Sequence, residues 1–329
     1  LGPIDKMDLV RGRVQGHRDG FGFLLPDETS GDDVFLAPRQ MRQVMHGDRV
    51  VVHVTGRDQR GRREGRIVEV LERVNETIVG RFVVESGVSM VVPDNQRIPQ
   101  EVRIAESKRG GAENNDVVTV RIIEAPSKRS EPVGEVIEVL GDRMAPGMEI
   151  EVAIRSHGIP HEFPAEVIEQ AKACGDEVAE ADKKDRVDLR DLPLVTIDGA
   201  DARDFDDAVY AKKTPRGYKL WVAIADVSHY VRKDSPLDVE AVERATSVYF
   251  PDHVVPMLPE ALSNGLCSLN PDVDRLSVVC EMRFNAAGEL QASKFYSAVI
   301  RSHARLLYEQ VADWLENPDN MPERYRELA

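Results

Sequence analysis

Short runs of alternating apolar and polar residues fill the first half of the chain, separated by Gly, Pro, Asp and Asn. Val50, Val52 and Val54 are one such set; two apart, they share one face of a strand. The runs recur. Gly12-Arg13 returns as Gly80-Arg81, and Leu25-Pro26-Asp27 as Val92-Pro93-Asp94. Gly47 to Val52 returns as Asn115 to Val120, and Arg66 to Leu71 as Glu135 to Leu140, at a period of about 68 residues. Two copies are too few for a solenoid and read as tandem domains of one fold. About five short strands per copy predict a small closed barrel. A connector with Pro146, Gly147, Gly158 and Pro160 follows. Val167, Ile168, Ala171, Cys174 and Val178 then predict a helix over 164–182. Leu194 to Ile197 and Ala208 to Ala211 are strand-like. Val299, Ile300, His303, Leu307, Val311 and Trp314 predict an amphipathic helix from Ser297 to Asn317, ended by Pro318. No apolar run approaches about 18 residues, so no membrane helix is expected.

Composition adds limits. A length of 329 residues suits two or three domains, and 42% apolar with 31% charged residues is globular. The three cysteines, Cys174, Cys267 and Cys280, lack CxxC spacing, which fits a reducing, cytoplasmic setting and excludes a disulfide scaffold. The start, Leu1-Gly-Pro-Ile-Asp, resembles no signal peptide and has no initiator Met, so a processed chain or a fragment is expected. A formal charge of −15 argues on its face against nucleic acid, yet residues 1–74 carry 13 Lys/Arg against 12 Asp/Glu. Arg57, Arg60, Arg62, Arg63 and Arg66 crowd together there, either as a solvated hairpin tip or as a basic patch.

In the first copy, Asp19-Gly20-Phe21-Gly22-Phe23 precedes Asp33-Val34-Phe35-Leu36. Phe21 and Phe23 project together, Phe35 can join them from a neighbouring strand, and Gly22 leaves the opposite face bare. With Arg13, His17 and Arg18 nearby, such a platform suits stacking on unpaired bases, although core phenylalanines would look the same. Gly20 to Phe23 and Val34-Phe35-Leu36 resemble the two RNA-binding motifs of cold-shock domains, which are OB-type barrels. The second copy has Val88, Met90 and Arg103 in place of Phe21, Phe23 and Phe35. Stacking is therefore expected only of the first barrel, and charge and shape of the second.

Five aspartates, Asp198, Asp201, Asp204, Asp206 and Asp207, fall in ten residues between the two strand-like runs. Two carboxylates about 4 Å apart repel by about 1 kcal/mol in water and by about four times that near a protein surface. Such a cluster must protonate or capture a cation, and an all-oxygen site suits Mg²⁺ or Mn²⁺. An EF-hand is excluded, because Ala200 and Ala202 stand where its acids belong. A solvated Asp-rich loop is the ordinary alternative. His157 and His161 are separated by Gly158 and Pro160, which disfavours a helical metal pair. Asp226, Ser228 and His229 hold the residue types of a catalytic triad, but too close along one strand to form one. Asp274-Arg275 reads as a local ion pair.

Asp188 to Asp198, continuing through Asp204-Phe-Asp206-Asp207-Ala, resembles the start of the RNB catalytic domain of the ribonuclease II/ribonuclease R family. Trp221 to Val231, Ser247 to Pro251 and Leu262 to Pro271 with Asp274-Arg275 agree, and the overall likeness is nearer the ribonuclease R branch. The resemblance implies an α+β multidomain chain. Two tandem OB-type cold-shock barrels (1–74 and 75–158) and a helical connector (159–184) would precede the N-terminal half of a mixed α/β RNB domain (185–329). It implies a Mg²⁺-dependent, processive 3′→5′ exoribonuclease that hydrolyses single-stranded RNA to nucleoside 5′-monophosphates. Asp198, Asp204, Asp206 and Asp207 would hold metal, with Asp206 the acid whose loss hurts chemistry more than binding. Tyr249 would stack near the RNA 3′ end, where a core tyrosine is the ordinary alternative. The later half of the RNB domain and an S1 barrel are expected in cis or as a second chain. Without them the chain is expected to be inactive or crippled. A non-catalytic single-stranded RNA-binding module on an RNB scaffold is the competing class. A metal-dependent deoxyribonuclease is a weaker one.

Overall fold

The computed structural model describes residues 8–28, 31–58, 60–323 and 325. The chain divides into two compact units, one up to Ile159 and one from Pro160.

In the first unit, the alternating runs become β1 (Leu9–Gly16), β2 (Gly22–Pro26), β3 (Val34–Leu36), β4 (Arg49–Arg57) and β5 (Arg63–Glu72). They close into a barrel in the order β1-β2-β3-β5-β4. Alternation points Val14, Leu24, Val34, Leu36, Val50, Val52 and Ile67 inward, and Met41 of the short helix α1 (Pro38–Met41) plugs that core. The repeat produces the same barrel again. β6 (Thr77–Glu85), β7 (Val88–Pro93), β8 (Val102–Ile104), β9 (Asp116–Glu124) and β10 (Val133–Asp142) close in the order β10-β8-β7-β6-β9. Its core is built on Phe82, Val91, Val102, Val118 and Val120. The two barrels are tied together. The Gln100 amide donates to the carbonyls of Met41 and Val44, each at 2.6 Å, and Met45 joins the second barrel's core. Helix α2 (Met148–Ser156) packs Met148 on Val79 and Val117.

The second unit begins with α3 (Ala165–Ala173) and α4 (Glu180–Lys183), where one helix over 164–182 was expected. Gly175 takes a φ of 77° and stops α3 just after Cys174. Val167, Ala171 and Val178 still share one buried cluster. A seven-stranded sheet carries the unit. Its strands are β11 (Val187–Asp188), β12 (Val195–Asp198), β13 (Asp207–Thr214), β14 (Gly217–Ala225), β17 (Asp274–Asn285), β18 (Leu290–Arg301) and β19 (Ala304–Leu307), in the order β11-β18-β17-β14-β13-β12-β19. Between β14 and β17 lie α5 (Val227–Tyr230), α6 (Pro236–Arg244), the hairpin of β15 (Val248–Phe250) and β16 (His253–Val255), and a π-helical turn, Ala261–Leu266.

The single helix expected from Ser297 to Asn317 is replaced in its first half by the end of β18 and by β19, and only α7 (Tyr308–Glu316) is helical. Ala298 and Ile300 enter one buried cluster and Val299 another, so β18 is buried on both faces here. A doubly buried strand is a continuous apolar run, which periodicity cannot separate from a helix. Trp314 and Val311 of α7 do cover Val195 and Leu306. Among the described residues, no helix is long and apolar enough to cross a membrane.

Candidate active site and aromatic platform

β12 ends at Asp198 and β13 begins at Asp207, so the acidic residues sit on and between two strand ends. Buried neighbours fix the connecting loop. Phe205 is buried in the sheet's core cluster. Its amide donates to the buried Ser268 hydroxyl at 3.0 Å, and its carbonyl accepts from the Leu269 amide at 2.8 Å. The Asp206 carbonyl accepts from the Ala225 amide at 2.8 Å, next to the Asp207–Ile224 register pair of β13 and β14. Arg275 donates to the Ser268 carbonyl at 2.8 Å, a step further out. From β19, Arg305 Nη2 donates to the carbonyls of Ala200 at 2.9 Å, Ala202 at 3.1 Å and Gly199 at 3.4 Å. Its guanidinium lies 4.7 Å from the Phe205 ring centroid. Neither Ser268 nor Arg305 was marked as a site residue by the sequence. Arg305 fell inside the misread helix, and no local motif links it to a loop about 105 residues earlier.

The carboxylates act on one another. Asp206 is pushed above the ordinary carboxylate range, first because surrounding protein withholds water, then by Asp204, Asp207 and Asp198. Asp198 is also raised, by desolvation and then Asp207, with Arg305 opposing and Asp204 adding. One buried oxygen, Asp198 Oδ2, has no hydrogen-bond partner. These traits fit a divalent cation: hard oxygen donors, an orphaned buried carboxylate oxygen, and repulsion that a cation would relieve. Among the described residues no three such side chains converge into a finished cage.

A cleft of about 610 Å³ opens beside the loop, lined by Asp201, Arg203, Asp204, Tyr249, His253, Asn264 and Arg305 among others. Tyr249 lies on β15, 58% exposed, and is no core residue. Its hydroxyl donates to both Asp204 oxygens, at 2.9 and 3.1 Å. Burial of the hydroxyl and that bond push its pKa up to about 12.

Asp226, Ser228 and His229 form no triad. They lie at and within α5, a helical turn and not a strand. The Ser228 hydroxyl donates to Asp226 at 2.9 Å, Asp226 pairs with Arg186 at 2.7 Å, and His229 faces Asp182 at 3.3 Å. The expected Asp274–Arg275 ion pair is also replaced. Asp274 pairs with Lys183, Arg190 and Arg301, while Arg275 turns to backbone carbonyls.

In the first barrel, Phe21, Phe23 and Phe35 do meet, with ring centroids 5.7–5.8 Å apart. The cluster is larger than the motif. His17 stacks on Phe21 at 4.3 Å, and Arg62 lies 4.2 Å over Phe35 while paired with Asp58. Gly22 does not leave a bare opposite face. Met41 fills it so closely that a Cβ on Gly22 would sit 2.6 Å from the sulfur. In the second barrel, Met90 pairs with Arg103 as Phe23 pairs with Phe35 in the first.

An RNB domain model matches residues 186–327, a ribonuclease B OB domain model 12–70, and a cold shock domain model 90–164. Ribonuclease R of Acidithiobacillus ferrooxidans is 52% identical over 313 residues, covering 94% of this chain and 71% of that protein. The chain belongs to the ribonuclease R family. Its architecture is two OB-type barrels followed by RNB-domain chain. Ribonuclease R of Vibrio parahaemolyticus is 54% identical over 99% of this chain, which spans 39% of that relative's length. The structure of Mycoplasma genitalium RNase R in complex with ribose-methylated single-stranded RNA superposes with a TM-score of 0.83. That match has 31% identity and covers 95% of this chain and 50% of the other.

Proposed function

We propose that this chain carries the RNA-binding barrels and the acidic half-site of a cytoplasmic, processive 3′→5′ exoribonuclease, which releases nucleoside 5′-monophosphates from single-stranded RNA. The observation that carries the proposal is the group of mutually repelling carboxylates beside a cleft that also contains an exposed tyrosine. Asp198, Asp204, Asp206 and Asp207 are the proposed holders of Mg²⁺, or of Mn²⁺ in its place. A divalent cation bound there would polarise the scissile phosphate and offset its charge.

The chain's own residues do the rest. Tyr249 holds Asp204 in one orientation through its hydroxyl and offers its ring to the last base. The Asp206 side chain accepts no hydrogen bond from the described residues and is raised above the usual carboxylate range. It is the carboxylate whose loss should hurt hydrolysis more than RNA binding. Phe21, Phe23 and Phe35 would stack bases of the strand, each base contributing about 1–3 kcal/mol.

The test uses the full-length protein with 5′-labelled RNA and DNA of one sequence, with Mg²⁺ or EDTA. Metal-dependent shortening of RNA alone, from the 3′ end, supports the reading. Equal shortening of DNA would favour a deoxyribonuclease. Binding with no shortening of either would favour a non-catalytic RNA-binding module.

A further inference from the structure

Three backbone carbonyls of the acidic loop, those of Gly199, Ala200 and Ala202, converge on one nitrogen of Arg305. Converging carbonyl dipoles repel one another unless a donor sits between them, so this turn of the loop depends on the guanidinium. The guanidinium carbon also lies 4.7 Å over the ring centroid of Phe205, which is 4% exposed and fixed in the core. One side chain thereby ties both ends of the segment between Asp198 and Asp206. Its own position is fixed too. Thr196 and Arg305 are register partners in the parallel pairing of β12 with β19, and β12 ends in Asp198.

We propose that Arg305 is a positioning residue: it sets the curvature of the 198–207 loop that carries Asp198, Asp204, Asp206 and Asp207, and so their capacity to bind a divalent cation. This rests on the metal reading of the site given above. Arg305 holds no metal and attacks nothing; it acts through the loop's backbone.

The proposal predicts a sign that charge alone would reverse. Arg305 is a cation near the acidic cluster, so by Coulomb's law its removal should tighten binding of a second cation. If Arg305 shapes the loop, its removal should weaken that binding. The experiment is a Mn²⁺ titration of the full chain followed by electron paramagnetic resonance, for wild type, Arg305→Met and Arg305→Lys. Hydrogen exchange of the 199–206 amides is measured in parallel. We expect Arg305→Met to lose about tenfold or more in Mn²⁺ affinity, the range typical when a group that orients metal ligands is removed. Exchange should quicken in the loop and stay unchanged in the β12–β19 ladder. Arg305→Lys should recover part of both, because an ammonium can still donate to the carbonyls but lacks the planar fork and the ring contact. Unchanged or tighter Mn²⁺ binding would overturn the proposal, as would weaker binding with unchanged loop exchange. If Arg305→Met does not fold, the same comparison is read from Arg305→Lys, where undiminished Mn²⁺ binding and loop protection would overturn the proposal. If wild type binds no Mn²⁺, the metal reading fails by itself, and loop exchange alone decides whether Arg305 holds the loop.

Discussion

Ser268 is fully buried, and its hydroxyl is the acceptor for the Phe205 amide in the middle of the acidic loop. Ser268→Ala leaves that N–H without a partner, at a cost of about 1–3 kcal/mol. Urea denaturation should show this loss of stability, and the loop's metal affinity should fall with it. At Asp206 the prediction has the opposite sign. Its carboxyl is raised in the folded protein, first by desolvation and then by its acidic neighbours. Its contribution to stability is therefore full below the unfolded carboxylate pKa of about 3.9 and is lost as pH rises through the raised folded value. Without metal, Asp206→Asn should melt higher than wild type at neutral pH, and the difference should shrink as pH falls below about 4. Equal melting temperatures across that range would show that the carboxylates do not strain one another.

Among the elements, the barrels were the most legible part of the sequence. Each strand is solvated on one side, so alternation was visible, and the repeat supplied a second reading of the same pattern. The acidic loop was legible because two apolar runs bracket it, and they are indeed β12 and β13. Arg305 was not. It lies on a strand that follows another buried on both faces, and its partners are backbone carbonyls far away in sequence, which side-chain patterns do not record. Met41 was missed for a similar reason: nothing local says that a methionine on α1 fills the space left by Gly22. A Cβ there would also sit 2.8 Å from the Gln15 carbonyl oxygen, which cannot rotate away as the Met41 side chain can, so Gly22→Ala should destabilise the first barrel by about 1–3 kcal/mol through overpacking. A thermal melt of the full chain should show the loss, and wild-type stability in the variant would contradict the close packing against Met41.

For the whole molecule, the net charge of −15 conceals two different surfaces. Residues 1–74 are close to neutral and hold the aromatic cluster, whereas the five clustered aspartates lie in the other unit. Binding and hydrolysis should therefore separate by mutation. Replacing Phe21, Phe23 and Phe35 with Ala should raise KM for long RNA, with kcat changed far less, while Asp206→Asn should lower kcat and leave RNA affinity nearly intact. The central claim, that these carboxylates hydrolyse RNA from its 3′ end with a divalent metal, is tested most directly by one comparison. It sets the full-length protein beside its Asp206→Asn form on 5′-labelled single-stranded RNA in Mg²⁺. The account predicts stepwise shortening by wild type, release of nucleoside 5′-monophosphates, and binding without shortening by the variant. Shortening that persists in the variant, or wild type that binds RNA and leaves it whole, would contradict it.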